Sequence, residues 1–352
     1  MLSKKINLAI IGTGRMGITH YSIINSHPDI TIASVADPSL LVLTMINKYL
    51  SAQTFKDYND LLEKNPPDAL LICTPPNLHY PVIKKAAQRG IHVFVEKPFT
   101  TRFTEAKELT KLFTQKGLVN QVGYVYRFND VFRKTKELIE AGIIGKVFRF
   151  KSEMFSATIT HSDEGSGWRS SRESGGGAVF EMASHVIDLV NFLIGKPDKI
   201  TGSSLNHIYS RNVEDAVSST FLYRNGITGT IYINWSDTSY RKPTNKIEIF
   251  GEGGRILADQ HSLKIFLNTP NSKFRLQRGW NTLYITDISQ PVPFYVRGNE
   301  FTRQLFHFVD CIQGKSATSL CSFADGMNTL EIIEHIFQDY ETNVKLKSEV
   351  EI

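Results

Sequence analysis

The stretch Gly175-Gly176-Gly177-Ala178-Val179-Phe180-Glu181-Met182-Ala183-Ser184-His185-Val186-Ile187-Asp188 sets a carboxylate, an imidazole and a second carboxylate at i, i+4 and i+7 of an expected helix. That spacing puts all three on one narrow face. A histidine between carboxylates is held in one tautomer with raised basicity, which suits a general base. Met182, Val186, Leu189 and Leu193 form one apolar stripe, and Ala183, Ile187, Val190 and Ile194 another, so the trio lies opposite a buried arc. On these residues alone two readings stand: a proton-transfer site, or the solvated polar face of an ordinary helix. A second candidate is Lys97 in Val95-Glu96-Lys97-Pro98-Phe99. The proline after it forces the Lys97 backbone into an extended conformation and so fixes where the side chain emerges.

Gly12-Thr13-Gly14-Arg15-Met16-Gly17 matches G-x-G-x-x-G, directly after an expected strand and at the start of an expected helix. The glycines allow a tight turn and close backbone approach, and the helix N-terminus receives a pyrophosphate. Asp37 ends the second strand, twenty residues after Gly17, where a carboxylate binds the adenosine ribose hydroxyls. Its successors Pro38-Ser39-Leu40-Leu41-Val42 contain no cation for a 2′-phosphate, so NAD is expected rather than NADP. Cys73-Thr74-Pro75-Pro76-Asn77-Leu78-His79 follows a later strand, at the edge where open α/β sheets bind ligands. Asn77 there either contacts a ligand or caps the next helix. Beside a positively charged nicotinamide ring, Lys97 would be a usable proton donor or acceptor; without one it is a surface charge.

The elements that must position these groups fall into two sets. Ile6–Ile11, Ile30–Ala36, Ala69–Ile72, His92–Val95 and Val119–Gly123 read as short apolar strands. Helical patterns alternate with them through Lys116, which means βαβ units and a parallel sheet covered on both faces. After a helix near Phe128–Ala141 come strand-like runs at Val147–Phe155, Ile200–Tyr209, Ser218–Tyr223, Ile227–Trp235 and Lys246–Phe250. Turn signals such as Arg224-Asn225-Gly226 join several of them, which predicts a largely antiparallel sheet. Two helices near Asn299–Gln313 and Phe323–Tyr340 close the chain. The expected domains are 1–125, dinucleotide-binding, and 126–352, for substrate and oligomerisation.

Composition removes other classes. With 352 residues, 41% of them hydrophobic, the chain can bury two cores. No apolar run approaches the roughly 20 residues of a membrane span. The N-terminal apolar run is too short for a leader and flows straight into the glycine motif, so it reads as a strand. The net charge of +5 is dispersed and forms no nucleic-acid stripe. Three scattered cysteines, Cys73, Cys311 and Cys321, form no metal-binding spacing; no metal is expected, and a reducing cytoplasm is.

The motifs G-T-G-R-M-G, Asp37, C-T-P-P-N-L-H, V-E-K-P-F and G-G-G-A-V-F-E-M-A-S-H-V-I-D, in that order over about residues 5 to 340, resemble the Gfo/Idh/MocA oxidoreductase family. The resemblance implies a Rossmann domain and a C-terminal α/β domain with an open, mostly antiparallel sheet, assembled as a homodimer or homotetramer. It implies cofactor contacts from Gly12, Gly14, Arg15, Met16, Gly17, Asp37, Thr74, Pro75, Asn77, His79, Glu96 and Lys97. His185 would be the general base, Lys97 would hydrogen-bond the reacting oxygen, and Glu181 would orient or relay to His185. The family usually carries Asp where Glu181 stands, and the region after it, Met182-Ala183-Ser184, also departs from the pattern. A longer carboxylate changes the proton path more than the reaction class.

Substrate contacts are expected from Lys97, Tyr126, Arg127, Trp168, Arg169, His185 and Asp188. Arg127 has the alternative of an interdomain salt bridge, and Trp168-Arg169 that of a packing aromatic with a surface cation. Asp188 orients His185, touches substrate or lies on the helix surface. Gly165-Ser166-Gly167-Trp168-Arg169-Ser170-Ser171-Arg172 reads as a flexible approach to the glycine triplet, and Trp235 as core. Arg127, Arg169 and Arg172 together would suit an anionic sugar. The expected reaction passes the hydride of a secondary alcohol on a sugar or cyclitol to NAD and the hydroxyl proton to His185 or Lys97, leaving a ketone. Two other classes remain open: a redox-neutral NAD-assisted glycosidase or lyase, and a non-enzymatic nucleotide or sugar sensor.

Overall fold

The computed structural model describes residues 5–49, 52–162 and 167–350, with side chains to Lys345. The chain forms two compact units: Met1–Val125 with Pro291–Met327, and Tyr126–Gln290 with Asn328–Ile352.

In the first unit, β1 (Ile6–Ile11), β2 (Ile30–Ala36), β3 (Gln53–Phe55), β4 (Ala69–Ile72), β5 (His92–Val95) and β6 (Asn120–Val122) form one sheet in the order β3-β2-β1-β4-β5-β6. Every pairing in it is parallel. The order reverses between β1 and β4, which opens a crevice at their carboxyl ends. Helices α1 (Arg15–Ile24), α2 (Leu40–Tyr49), α3 (Tyr58–Lys64), α4 (His79–Gln88) and α5 (Phe103–Lys116) connect the strands. β4 is buried at every residue, as a strand covered on both faces must be. Strand β3 has little sequence signal because it is only three residues long, at the sheet edge, with Phe55 alone buried.

The compact units divide the residues beyond 125 differently from the expected domains 1–125 and 126–352. Helix α9 (Asn299–Ile312) belongs to the first unit, where Leu305, Phe308 and Val309 join Leu8, Ile10, Ile23, Val35, Leu71 and Phe94 in one buried cluster. Its apolar spacing says that one face is buried, and spacing cannot say against which sheet.

In the second unit, α6 (Asp130–Glu140) starts at Asn129, whose side chain accepts from the Val131 N–H at 3.0 Å. Strands β7 (Val147–Phe155), β8 (Lys199–Asn206), β9 (Ala216–Leu222), β10 (Thr228–Asn234), β11 (Thr244–Gly251), β12 (Gly254–Asp259), β13 (Ser262–Leu267) and β14 (Gly279–Tyr284) follow. They form an eight-stranded sheet in the order β14-β13-β12-β11-β7-β10-β9-β8, antiparallel except where β10 meets β7. Helix α7 (Ser184–Leu193) packs against β7 and α6, and a short α8 (Ile285–Ile288) follows β14. The last helix, α10 (Phe323–Val350), begins in the first unit and continues in the second. Among the described residues no helix is long and apolar enough to cross a membrane.

Candidate active site

The glycine loop joins β1 to α1 in a shape that only glycine permits. Gly12 has φ of +89°, and a Cβ on it would lie 2.8 Å from the Cys73 carbonyl carbon and oxygen. The ends of β1 and β4 therefore touch through bare backbone. A Cβ on Gly17 would collide with the Gly12 carbonyl oxygen. At Gly14, the N-cap of α1, a Cβ would meet nothing, and no side chain caps the helix. An uncapped helix N-terminus facing open space is what a pyrophosphate requires. Thr13 Oγ1 and Thr74 Oγ1 are buried with no hydrogen-bond partner among the described residues, so polar groups around the cradle remain to be satisfied. Asp37 accepts from the Thr13 N–H at 2.7 Å and the Ser39 N–H at 2.9 Å, which holds its carboxylate at the end of β2. These residues fit a dinucleotide. Arg15 is exposed and Met16 half-buried in the first turn of α1.

Asn77 is exposed and does not cap α4, because neither the short helical turn Pro76–Leu78 nor α4 has a side-chain cap. Pro75 is exposed beside it. His79, expected at the cofactor, lies on the same edge as a buried ring. His79 is 0% exposed, with Nδ1 2.9 Å from the Pro98 carbonyl oxygen and Nε2 3.0 Å from that of Thr74. The ring ties the loop after β4 to the loop after β5. Burial lowers its pKa, against the opposing pull of the carbonyls. A neutral ring donates to only one of the two.

Lys97 leaves the carboxyl end of β5, which lies next to β4 in the sheet. The glycine cradle and Lys97 therefore share one sheet edge within the first unit. Glu96, in front of it, turns inward. Its Oε1 lies 2.6 Å from His20 Nε2, and its Oε2 accepts from the Lys97 backbone N–H at 3.2 Å. Burial pushes the Glu96 carboxyl up, but hydrogen bonding to His20 and the nearby positive charges outweigh it and hold the pKa below the usual range. Burial and the Glu96 charge push the Cys73 thiol well up.

In the second unit the expected single helix is two segments. Val179–Ala183 is a π-helical turn that carries Glu181, and α7 starts at Ser184. Such wide turns recur at functional sites because they re-aim side chains. Glu181 is half-buried, with Arg169 Nη2 3.4 Å from its Oε1. The Arg169 guanidinium lies over the Trp168 ring, 4.6 Å from its centre. His185 is half-buried, edge-on to the Tyr126 ring with centroids 5.2 Å apart. The Tyr126 hydroxyl accepts from Gln260 Nε2 at 2.9 Å.

Asp188 does not share an exposed face with Glu181 and His185. It is 1% exposed and is gripped by Arg127, itself 4% exposed, through Nε at 2.9 Å and Nη2 at 2.8 Å. Both partners of the pair lie inside the second unit. Of the approach to the glycine triplet, Gly165 and Ser166 lie outside the described residues. Trp235 is core, 0% exposed, and donates its indole N–H to Asp215 Oδ1 at 2.6 Å.

Three residues that the sequence reading passed over help to build the site: His20, Gln260 and Glu214. Glu214 is buried against Gly177 and accepts from the Val179 N–H at 2.9 Å, at the first turn of the π-helical segment. Burial raises its pKa, offset in part by that backbone N–H and by Arg172 and His207. A sequence signal exists for none of the three, since each acts through a partner 35 to 134 positions away.

Comparison with known proteins decides the family. The profile of the oxidoreductase family with an NAD-binding Rossmann fold matches residues 6–124, and that of the GFO/IDH/MocA C-terminal domain matches residues 132–257. The chain belongs to the Gfo/Idh/MocA oxidoreductases. It is 26% identical over 343 residues to the scyllo-inositol 2-dehydrogenase (NAD(+)) of Bacillus subtilis, covering 94% of this chain and 93% of that one. It is 30% identical over 212 residues to the 2,7-anhydro-N-acetylneuraminate hydratase of Mediterraneibacter gnavus, covering 58% and 54%. A levoglucosan dehydrogenase solved with NADH and L-sorbose superposes with a TM-score of 0.86 over 96% of this chain and 97% of that one, at 21% identity. That likeness is one of fold: a Rossmann sheet followed by a mostly antiparallel sheet, as the strand pattern predicts for this Gfo/Idh/MocA member.

Proposed function

We propose that this oxidoreductase is an NAD-dependent dehydrogenase that converts a secondary alcohol of an uncharged sugar or cyclitol to a ketone. The observation that carries the reading is the shared sheet edge: an open cradle at Gly14 between β1 and β4, and Lys97 leaving the neighbouring β5. The near full-length likeness to an NAD-dependent inositol dehydrogenase supports it. Gly12, Gly14, Gly17 and the first turn of α1 would hold the pyrophosphate, and Asp37 the ribose hydroxyls. The Asp37 carboxylate would repel a 2′-phosphate, and no cation stands at positions 38–42 to offset it, so NAD is preferred over NADP.

NAD, when bound, would supply the acceptor for the hydride of the carbinol carbon. Lys97 hydrogen-bonds the hydroxyl oxygen and steadies the charge that grows on it. His185 takes the hydroxyl proton as the carbon–oxygen double bond forms, and Glu181 orients the imidazole. Arg127 serves as the partner of Asp188, and Tyr126 as a wall against the His185 ring.

An uncharged substrate follows from the arginines. Arg127, Arg169 and Arg172 each stand beside a carboxylate, Asp188, Glu181 and Glu341 respectively. A carboxylate already beside each cation favours an uncharged sugar over the anionic one expected from charge alone. A panel of inositols, free aldoses, sugar phosphates and nucleotide sugars, followed by NADH absorbance, tests the reading.

The hydratase relative favours a second reading, a redox-neutral lyase or hydratase in which NAD is reduced and regenerated within one turnover. Bond cleavage or hydration without NADH accumulation would select it. We also propose a cytoplasmic homodimer or homotetramer, which fractionation and light scattering test.

A further inference from the structure

We propose that His20 is a positioning residue for Lys97, acting through Glu96. The proposal rests on the reading of Lys97 as a catalytic group. His20 is three residues past Gly17 on α1, the helix whose N-terminus forms the dinucleotide cradle. Its ring is 0% exposed and packs edge-on to Phe94 of β5, with centroids 5.3 Å apart. It is thereby wedged between the cofactor helix and the strand that ends at Lys97.

The chemistry of the pair is directional. Glu96 is ionised at neutral pH and can only accept, so His20 Nε2 carries the proton and donates it to Oε1. Nδ1 is buried with no hydrogen-bond partner among the described residues. The carboxylate is confined on its other sides. Oε2 accepts from the Lys97 N–H, and a Cβ on Gly123 would stand 3.1 Å from that same oxygen. One carboxylate thus joins α1 to the Lys97 backbone, and His20 fixes its rotamer. Without the His20 donor, a buried charge would lose its main partner and seek another, turning away from the Lys97 N–H. A dislocation of about 1 Å at a catalytic group costs on the order of 10²-fold in rate.

Two amides of similar polarity make the test. In His20→Gln, the side-chain nitrogen falls near the place of Nε2 and still reaches Glu96. In His20→Asn, it falls near Nδ1 and does not. Hydrogen exchange at the Lys97 amide, read by NMR on the full chain without cofactor, reports the anchor independently of turnover. The expected result is exchange about 10-fold faster in His20→Asn and within about 3-fold of the parent in His20→Gln. With NAD and substrate, kcat falls on the order of 10²-fold in His20→Asn and recovers in His20→Gln, while KM for NAD stays within about 3-fold. Equal exchange in the two variants, whether fast or slow, would overturn the proposal. A parent protein that turns over no alcohol would instead overturn the dehydrogenase reading, and the exchange result would stand on its own.

Discussion

Arg127 and Asp188 form a two-pronged ion pair in the interior of the second unit, with Arg127 Nη2 2.8 Å from Asp188 Oδ1 and the Arg127 guanidinium over the Phe192 ring. The pair binds the segment after the first unit to the helix that carries His185. Removing one partner leaves the other charge buried, so Asp188→Ala should cost about 3–5 kcal/mol. Replacing both with leucine should cost less than Asp188→Ala alone. A double-mutant cycle by urea denaturation checks both. A cost for the double variant equal to the sum of the two single costs would show that the pair does not act as a unit.

Asp37 has two tasks, facing the expected ribose site and holding the Thr13 N–H. Asp37→Ser should shift the NADH-to-NADPH affinity ratio towards NADPH by about tenfold or more, roughly 1.4 kcal/mol. Fluorescence titration with each nucleotide measures this. An unchanged ratio would remove Asp37 from cofactor choice.

Helix α9 returns to the first unit from nearly 300 residues along the chain. Phe308 is fully buried there, so Phe308→Ala should cost about 3–5 kcal/mol. Faster hydrogen exchange in β1 and β5 should accompany it. Loss confined to the second unit would contradict this assignment.

Glu214 gives the fold a pH dependence of known sign. Burial raises its folded-state pKa above the ordinary value of 4.5. Above 4.5 the unfolded chain has released this proton while the folded protein still holds it. This group's contribution therefore falls as pH rises from 4.5 to the raised value. Glu214→Gln keeps an acceptor for the Val179 N–H and should remove that fall. Urea midpoints measured upward from pH 4.5 decide it, a slope identical to the parent being the contrary result.

Much of this was legible in the sequence because the groups concerned act locally. Glycines at 12, 14 and 17 are dictated by a turn and a helix start, both readable within six residues. Strands β1, β2, β4 and β5 are continuous apolar runs with sharp ends. Strands β12 and β13 do carry alternating apolar residues, but each is only six residues long, and β14 has no buried residue to mark one face. The π-helical turn at Val179–Ala183 leaves no mark in composition, and helical spacing alone does not show that Asp188 is buried against Arg127. The contact of His79 with the Pro98 carbonyl, nineteen residues away, has no local signal. The buried partners of Arg127, Glu96 and Val179 are tertiary facts that no local pattern encodes.

The measurement that tests the central claim most directly is NADH absorbance on mixing the protein with NAD and scyllo-inositol, myo-inositol, free aldoses, sugar phosphates and nucleotide sugars, beside His185→Ala. The account predicts stoichiometric NADH and ketone from an uncharged polyol or sugar, with a fall on the order of 10²–10⁴-fold in His185→Ala. Tight NAD binding with no NADH from any alcohol, or full activity in His185→Ala, would contradict it.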